Sequence, residues 1–473
     1  MTMKTFINYG LRVTILLYTL IHIVTSFNEQ SLLMQLLSYI GLAIIIFSML
    51  AIPLRDFKLP LFILLIAIII LFYSQTNIFS GILLGVQQMR NVIGILVIIP
   101  LISWVLQEEP YIEDMMSVFH NFINTSKKFY FTMISLTQVL TYFLLFGSIN
   151  MMYQFIDIIL KDQKSEIWQR YKGTALLRGY GLSTLWVITV PSFIVVVDTL
   201  GASIYISIAQ GFGIALVGTI LAVLFVAPTE RKHNLNITPI LQTEINNVLL
   251  TASTDIKTRK RNVIEFFLLF FSLFGAIFFI YSIWNIPLMT LIPLTIIGWI
   301  ITFYLYKQRM YKLKSIAKQY FSNELGKKAY QVALMLSIGT LIYSLNQTNF
   351  AENVVGGLNA IENVVSWLNP LYLLPFIVII LGLMGLGPLT VMVLVAGILE
   401  SLNLPYPPEL IVLSITSGSV ISILISPVLM PLIVLSDSNG LNLFTNGIKS
   451  NWKYAFAFFI VTQIYIQIMM HIW

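Results

Sequence analysis

The chain is 473 residues long, 58% hydrophobic and only 10% charged, with no cysteine and a formal charge of +7. An average soluble domain carries roughly 25% charged residues, so no soluble fold of this length could hide so much apolar surface, and the composition predicts an all-α polytopic membrane protein. Without cysteine there are no disulfides, cysteine-ligated clusters or thiolate chemistry, and His22, His120, His233 and His471 are too scattered for a metal cluster, so no resident cofactor is expected.

Residues 1–77 read as N-terminal transmembrane helices, with spans at about 8–25, 33–54 and 60–77. The run Leu11 to Val24 lacks a small-residue cleavage site and reads as a retained helix rather than a signal peptide. Lys4 and Arg12, with the turn Arg55-Asp56-Phe57-Lys58, predict a cytoplasmic N-terminus, and the expected location is the plasma membrane. The basic residues lie beside apolar runs, where they report orientation, and nucleic acid is not an expected partner.

Residues 78–227 form a first transport repeat. Its first apolar run, Ile78 to Leu106, carries Gln87, Gln88, Arg90 and Asn91. Arg90 either sits at headgroup level or faces the bundle interior as a positive charge for an anion. Residues 107–130 suit an interfacial amphipathic helix, with Met115, Met116, Phe119 and Ile123 on its apolar stripe. A span at 131–157 leads to a polar hinge, 161–172, and then to a segment interrupted by Gly181, Ser183, Thr184, Thr189, Pro191 and Ser192 before Asp198 and a last span to Ala227.

A cytoplasmic linker, 228–261, ends in Lys257-Thr258-Arg259-Lys260-Arg261 and is followed by a transmembrane hairpin, 262–306, and a second basic linker, 307–330. Residues 331–473 repeat the earlier order: a span, an amphipathic stretch, a run holding Gly382, Gly385, Gly387 and Pro388, an interrupted segment and a final span near 452–472. The glycines of this run serve either close packing or a site. The interrupted segment, Leu410 to Ser436, carries Thr416, Ser417, Gly418, Ser419, Ser422, Ser426, Pro427 and Pro431. The intervening spans start the two copies on opposite sides, so the expected architecture is two inverted repeats with broken or re-entrant helices, about 11–12 transmembrane helices in all. On that count the charges of the 161–172 hinge fall outside, against their usual preference, unless the broken segment crosses fully.

A helix broken in hydrocarbon presents unpaired amides and carbonyls with partial charges at its ends. Amide ends attract anions, while carbonyls and hydroxyls ligate sodium or orient a polar solute. The candidate ligands are therefore Ser183, Thr184, Thr189, Ser192 and Asp198 in the first copy and Thr416, Ser417, Ser419, Ser422 and Ser426 in the second. Gly181, Pro191, Gly387, Pro388, Gly418 and Pro427 are the backbone breaks, and Arg90 and Arg178 are candidate anion partners. Each hydroxyl could instead bond its own preceding carbonyl. Asp198 is either a proton or sodium coupling residue or an interfacial one.

The run Arg178-Gly179-Tyr180-Gly181-Leu182-Ser183-Thr184-Leu185-Trp186, with Gly385-Leu386-Gly387-Pro388-Leu389-Thr390 and Ile423-Leu424-Ile425-Ser426-Pro427, resembles the two repeat cores of the ion transporter superfamily. That group includes dicarboxylate, citrate and arsenite permeases, whose members tend to use re-entrant hairpins in an elevator-like arrangement. The resemblance implies a secondary active transporter, not an enzyme, moving a small anionic or polar solute by alternating access with Na+ or H+ coupling. A homodimer is the expected assembly from the glycine-rich surfaces. The competing reading is a polytopic enzyme or transporter of envelope polymers or lipid-linked sugars, which as an enzyme needs convergent acidic or histidine groups that no loop here offers.

Overall fold

The computed structural model describes residues 3–111, 114, 125–160, 163–233, 237–243, 256–284, 286–364, 369–402 and 404–472. Among these there is no strand, and in chain order the principal helices are α1 (Met3–Thr25), α2 (Ser31–Ala51), α3 (Lys58–Tyr73), α4 (Ile78–Gln88), α5 (Arg90–Ile98), α6 (Ser126–Leu144), α7 (Gly147–Ile159), α8 (Glu166–Ser183), α9 (Pro191–Thr199) and α10 (Ile204–Leu224). They continue as α11 (Ile256–Trp284), α12 (Leu288–Tyr306), α13 (Met310–Gln319), α14 (Ala329–Asn346), α15 (Phe350–Val364), α16 (Pro370–Leu383), α17 (Pro388–Glu400), α18 (Pro408–Ile425), α19 (Met430–Asn439) and α20 (Ser450–Ile472).

Among the described residues, eight helices are long and apolar enough to cross a membrane, or nine if the pair Ile78–Gln88 and Arg90–Leu106, bent by 43°, counts as one span. The chain is therefore a multi-pass helical protein. The expected 11–12 spans exceed this number because α3, α16 and α17 are apolar but shorter than a full crossing.

Several of the elements read from sequence can now be placed. The single span at 131–157 is two helices, α6 and α7, because Leu145 turns the chain at φ 52°. The run 370–402, expected as either one broken span or a packed pair, is broken into α16 and α17 at Gly385 with φ 99°, a conformation that glycine adopts without Cβ strain. The basic run Lys257 to Arg261 lies in the first turns of α11, and the basic segment 307–330 is mostly helical through α13, a π-helical turn at Tyr320–Glu324 and a 3-10 turn at Leu325–Lys328. The apolar stripe Met115, Met116, Phe119 and Ile123 lies outside the described residues, as do residues 234–236 and 244–255 of the 228–261 linker.

The chain divides into two compact units: Met1–Trp104, Ala276–Trp367 and Val393–Leu404 form one, and Val105–Gly275, Leu368–Met392 and Pro405–Trp473 form the other. In the first, α4 crosses α14 at a pair of glycines. A Cβ on Gly339 would lie 2.6 Å from the Gly85 carbonyl, and a Cβ on Gly85 would collide with the Thr340 backbone. Tyr18 of α1 donates to the Val86 carbonyl at 2.6 Å, and Tyr320 donates to that of Val97 at 2.6 Å, so buried hydroxyls tie this unit together through backbone acceptors.

In the second unit, α8 packs on α6 and α18 packs on α16. Both contacts rest on small residues: a Cβ on Gly179 would lie 2.8 Å from the Ile134 carbonyl, and one on Gly418 would lie 2.6 Å from that of Pro375. Close backbone approach of this kind substitutes for the hydrophobic force that lipid does not supply between helices. Gly85→Ala is expected to cost about 1–3 kcal/mol, measured as a lower melting temperature in detergent. Gly275→Ala, where a Cβ meets nothing within 4 Å, is expected to leave the melt unchanged.

Candidate functional site

Both interrupted helices lie in the second unit. The first helix, α8, ends at Ser183, and α9 begins at Pro191, whose missing N–H is no loss at the first helical position. The second, α18, ends at Ile425, Pro427 follows two residues later, and α19 starts at Met430. The two meet: a Cβ on Gly181 of α8 would make ordinary contact with Val420 of α18 at 3.4 Å. Unbroken rods through Pro191 and Pro427 are thereby excluded.

Most of the predicted hydroxyl ligands are used locally. Ser183 donates to the Tyr180 carbonyl at 2.6 Å, Thr184 to Gly181 at 2.7 Å, Thr416 to Val412 at 2.7 Å and Ser417 to Ser414 at 2.7 Å. Thr189 donates to the Tyr142 carbonyl at 2.5 Å and so straps the first interruption to the end of α6. Ser414, Gly418, Ser422 and Ser426, spaced four apart, form the seam against α16. There Ser414 donates to Leu371 at 2.8 Å and Ser426 to Gly382 at 2.8 Å, while a Cβ on Gly382 would collide with the Ser422 hydroxyl. Ser192 is buried in α9, and the Ser419 hydroxyl is buried without a partner.

The other predicted residues separate. Arg90 belongs to the first unit, where it opens α5 just after the bend at Met89 and pairs with Glu29 at 2.5 Å. Asp198 lies in the last turn of α9, seven residues from Pro191 and so about 10 Å along the helix from the interruption. Gly387 meets open space and Pro388 opens α17, while the turn itself is made at Gly385.

Arg178 is the predicted residue with the most pronounced environment. Its side chain is 5% exposed, and it donates from Nε to Asn451 Oδ1 at 3.1 Å, from Nη1 to the Tyr130 hydroxyl at 3.1 Å and from Nη2 to the Ser450 carbonyl at 3.3 Å. Its guanidinium lies 4.4 Å from the centre of the Tyr454 ring, a cation–π contact. All of these partners are neutral. Arg170, two turns earlier on α8, reaches the same place, donating from Nε to Ser450 Oγ at 3.0 Å. Among the described residues, neither guanidinium has a carboxylate within 4.0 Å.

An amide network holds this place in register beside the second interruption. Asn439 and Asn446 exchange side-chain bonds at 2.8 and 2.9 Å, Asn446 also donates to Ser436 at 3.0 Å, and Asn451 donates to the Asn446 carbonyl at 2.8 Å. Gly173 of α8 lies against Asn439, and Gly447 lies 3.3 Å, measured from its would-be Cβ, from the carbonyl of Ile425, the last residue of α18. The chain Asn446, Asn451, Arg178, Tyr130 and Thr174 is thus one connected hydrogen-bond path, closed by the Tyr130 bond to Thr174 at 2.9 Å. Tyr130, Arg170, Asn439, Asn446, Ser450 and Asn451 were not singled out from sequence. The signal available was four asparagines, Asn439, Asn442, Asn446 and Asn451, and Lys449 in and beside the short connection between two apolar helices.

Of the residues placed in the 161–172 hinge, Arg170 and Lys172 are in fact inside α8, and Lys161 and Asp162 lie outside the described residues. Lys172 is fully buried and pairs with Asp157, whose side chain is 38% exposed, at 2.8 Å. Comparison of the chain with models of known families gives no match, and comparison with curated proteins gives none.

The Lys172 pair should respond asymmetrically. Asp157→Asn strands an enclosed ammonium with only the Leu160 carbonyl and the Tyr153 ring beside it and is expected to cost about 3 kcal/mol or more. Lys172→Met leaves a half-exposed carboxylate that water can solvate, so its loss in detergent melts is expected to be under half as large.

Proposed function

We propose that the protein is a secondary active transporter that moves a small anionic solute by alternating access, coupled to Na+ or H+. The observation that carries this reading is Arg178. A buried charge in a membrane protein costs several kcal/mol unless it is paired. Its neutral acceptors and the Tyr454 ring relieve part of that cost but leave the site positive, and Arg170 on Ser450 adds a second guanidinium. A planar guanidinium fork suits a carboxylate or oxyanion, which it can bind through paired N–H donors.

A recurring order of helices, which we read as two inverted copies, supports alternation. The order kinked pair, interrupted pair and long helix occurs as α6 with α7, α8 with α9, and α10, and again as α16 with α17, α18 with α19, and α20. Counterparts also meet in each unit, α4 with α14 at Gly85 and Gly339, and α8 with α18 at Gly181 and Val420. The resemblance of the repeat cores to the ion transporter superfamily points the same way.

The test is a screen of the purified protein against small carboxylates, oxyanions, amino acids and lipid-linked phosphates, followed by uptake of the bound solute into proteoliposomes. Arg178→Lys, which keeps the charge but loses the fork, is expected to weaken binding of that solute at least tenfold. Unchanged affinity in both Arg178→Lys and Arg178→Gln would overturn the proposal. So would selective capture of lipid-linked phosphates without uptake of any small anion.

A further inference from the structure

We infer that the first interruption is a binding site for a monovalent alkali cation, formed by free backbone carbonyls of residues 184–190 together with Ser207 and Gln210 of α10. The role of that cation as a coupling ion rests on the transport reading; the site itself does not.

Every residue from Thr184 to Val190 is buried. The amides of Thr184, Leu185, Trp186, Val187 and Val190 are bonded to backbone carbonyls. In the other direction, the carbonyls of Thr184, Leu185, Trp186, Ile188 and Thr189 accept no hydrogen bond from any described residue. More than 90% of buried backbone polar groups in folded proteins are paired, so five free carbonyls in one turn-like segment require a partner. The second interruption differs, because Val428 is 50% exposed there.

The helix facing this segment is short of partners as well. Gln210 is only 7% exposed, yet neither its Oε1 nor its Nε2 has a hydrogen-bond partner, and the same holds for the hydroxyl of Ser207, which is 3% exposed. Three residues apart, the two side chains share one face of α10. That face is pressed onto the interruption: a Cβ on Gly211, next to Gln210 and one turn on from Ser207, would collide with the Leu185 carbonyl.

The chemistry of the surplus groups selects the ligand. They are mainly oxygens: backbone carbonyls, a hydroxyl and an amide oxygen, gathered at the C-terminal end of α8, where the helix dipole is negative. Unwound carbonyls of this kind coordinate cations in broken-helix transporters. No charged residue occurs between Arg178 and Asp198. A divalent ion would call for carboxylates, whereas neutral oxygens suffice to replace the hydration shell of a monovalent one.

The test uses the full chain purified in choline chloride and titrated with NaCl, KCl or LiCl while its melting temperature is followed. At least one alkali cation is expected to raise the melting temperature saturably by several degrees, as binding to the folded state alone requires, with no response to choline. Gln210→Leu is expected to melt higher than wild type in choline, since it removes an unpartnered buried amide, and to need at least tenfold more cation for the same shift. Ser207→Ala is expected to weaken the response about threefold. A wild-type response that is absent, unsaturable or equalled by choline would overturn the inference, as would wild-type titrations in both variants. Arg178→Gln is expected to keep the cation response. Anion binding lost in every assay with the cation response intact removes the transport reading alone, and the reverse pattern removes this site alone.

Discussion

A polypeptide in hydrocarbon must satisfy its own backbone hydrogen bonds, and the second unit of this protein is arranged around the two places where it does not do so by helix alone. At each interruption the chain leaves helical geometry for only a few residues, between Ser183 and Pro191 and between Ile425 and Met430. Everything packed against those gaps supplies what the missing turns no longer do. Thr189 strapped to Tyr142, Ser426 capping Gly382 and Gly447 laid against Ile425 are local answers to one requirement.

The two interruptions are answered with opposite chemistry. Near the second, two guanidiniums on α8 converge on Ser450 at the start of α20, held by an asparagine network, and the local charge is positive. At the first, the unsatisfied groups are oxygens at the negative end of a helix, with a glutamine and a serine that lack partners. Because Arg178 lies on the helix that ends at the first interruption while its partners Ser450 and Asn451 belong to the helix that follows the second, a change at one gap has a rigid route to the other. That geometry suits the proposed coupling of a cation to an anionic solute.

Hydroxyl residues illustrate how one sequence pattern can serve two purposes. Their density in Leu410 to Ser436 does mark an unusual helix, but Ser414, Gly418, Ser422 and Ser426 form a packing seam, and Thr416 and Ser417 bond back to their own helix. Small side chains are what both a binding site and a close helix crossing require, so composition does not separate them. Burial without a partner is a sharper signal, and it marks Ser207, Gln210, Ser419, Arg12, Tyr142, Asn369 and Thr462, of which only Ser419 stood within the conspicuous stretch.

Read by itself, the sequence determined the helical membrane class, the placement of most helices, and the interruptions at Pro191 and Pro427. These follow from local physics: the length of apolar runs, the missing amide of proline and the clustering of small polar residues. Only the tertiary structure decided that Leu145 divides one expected span, that Lys172 is enclosed beside Asp157, and that Arg178 and Arg170 share Ser450 from almost three hundred residues away. It also decided that Arg90 is paired with Glu29 in the other unit. The reason is that an arginine reads the same in sequence whether or not a carboxylate lies beside it, and whether a buried charge is paired depends on which distant segment folds against it.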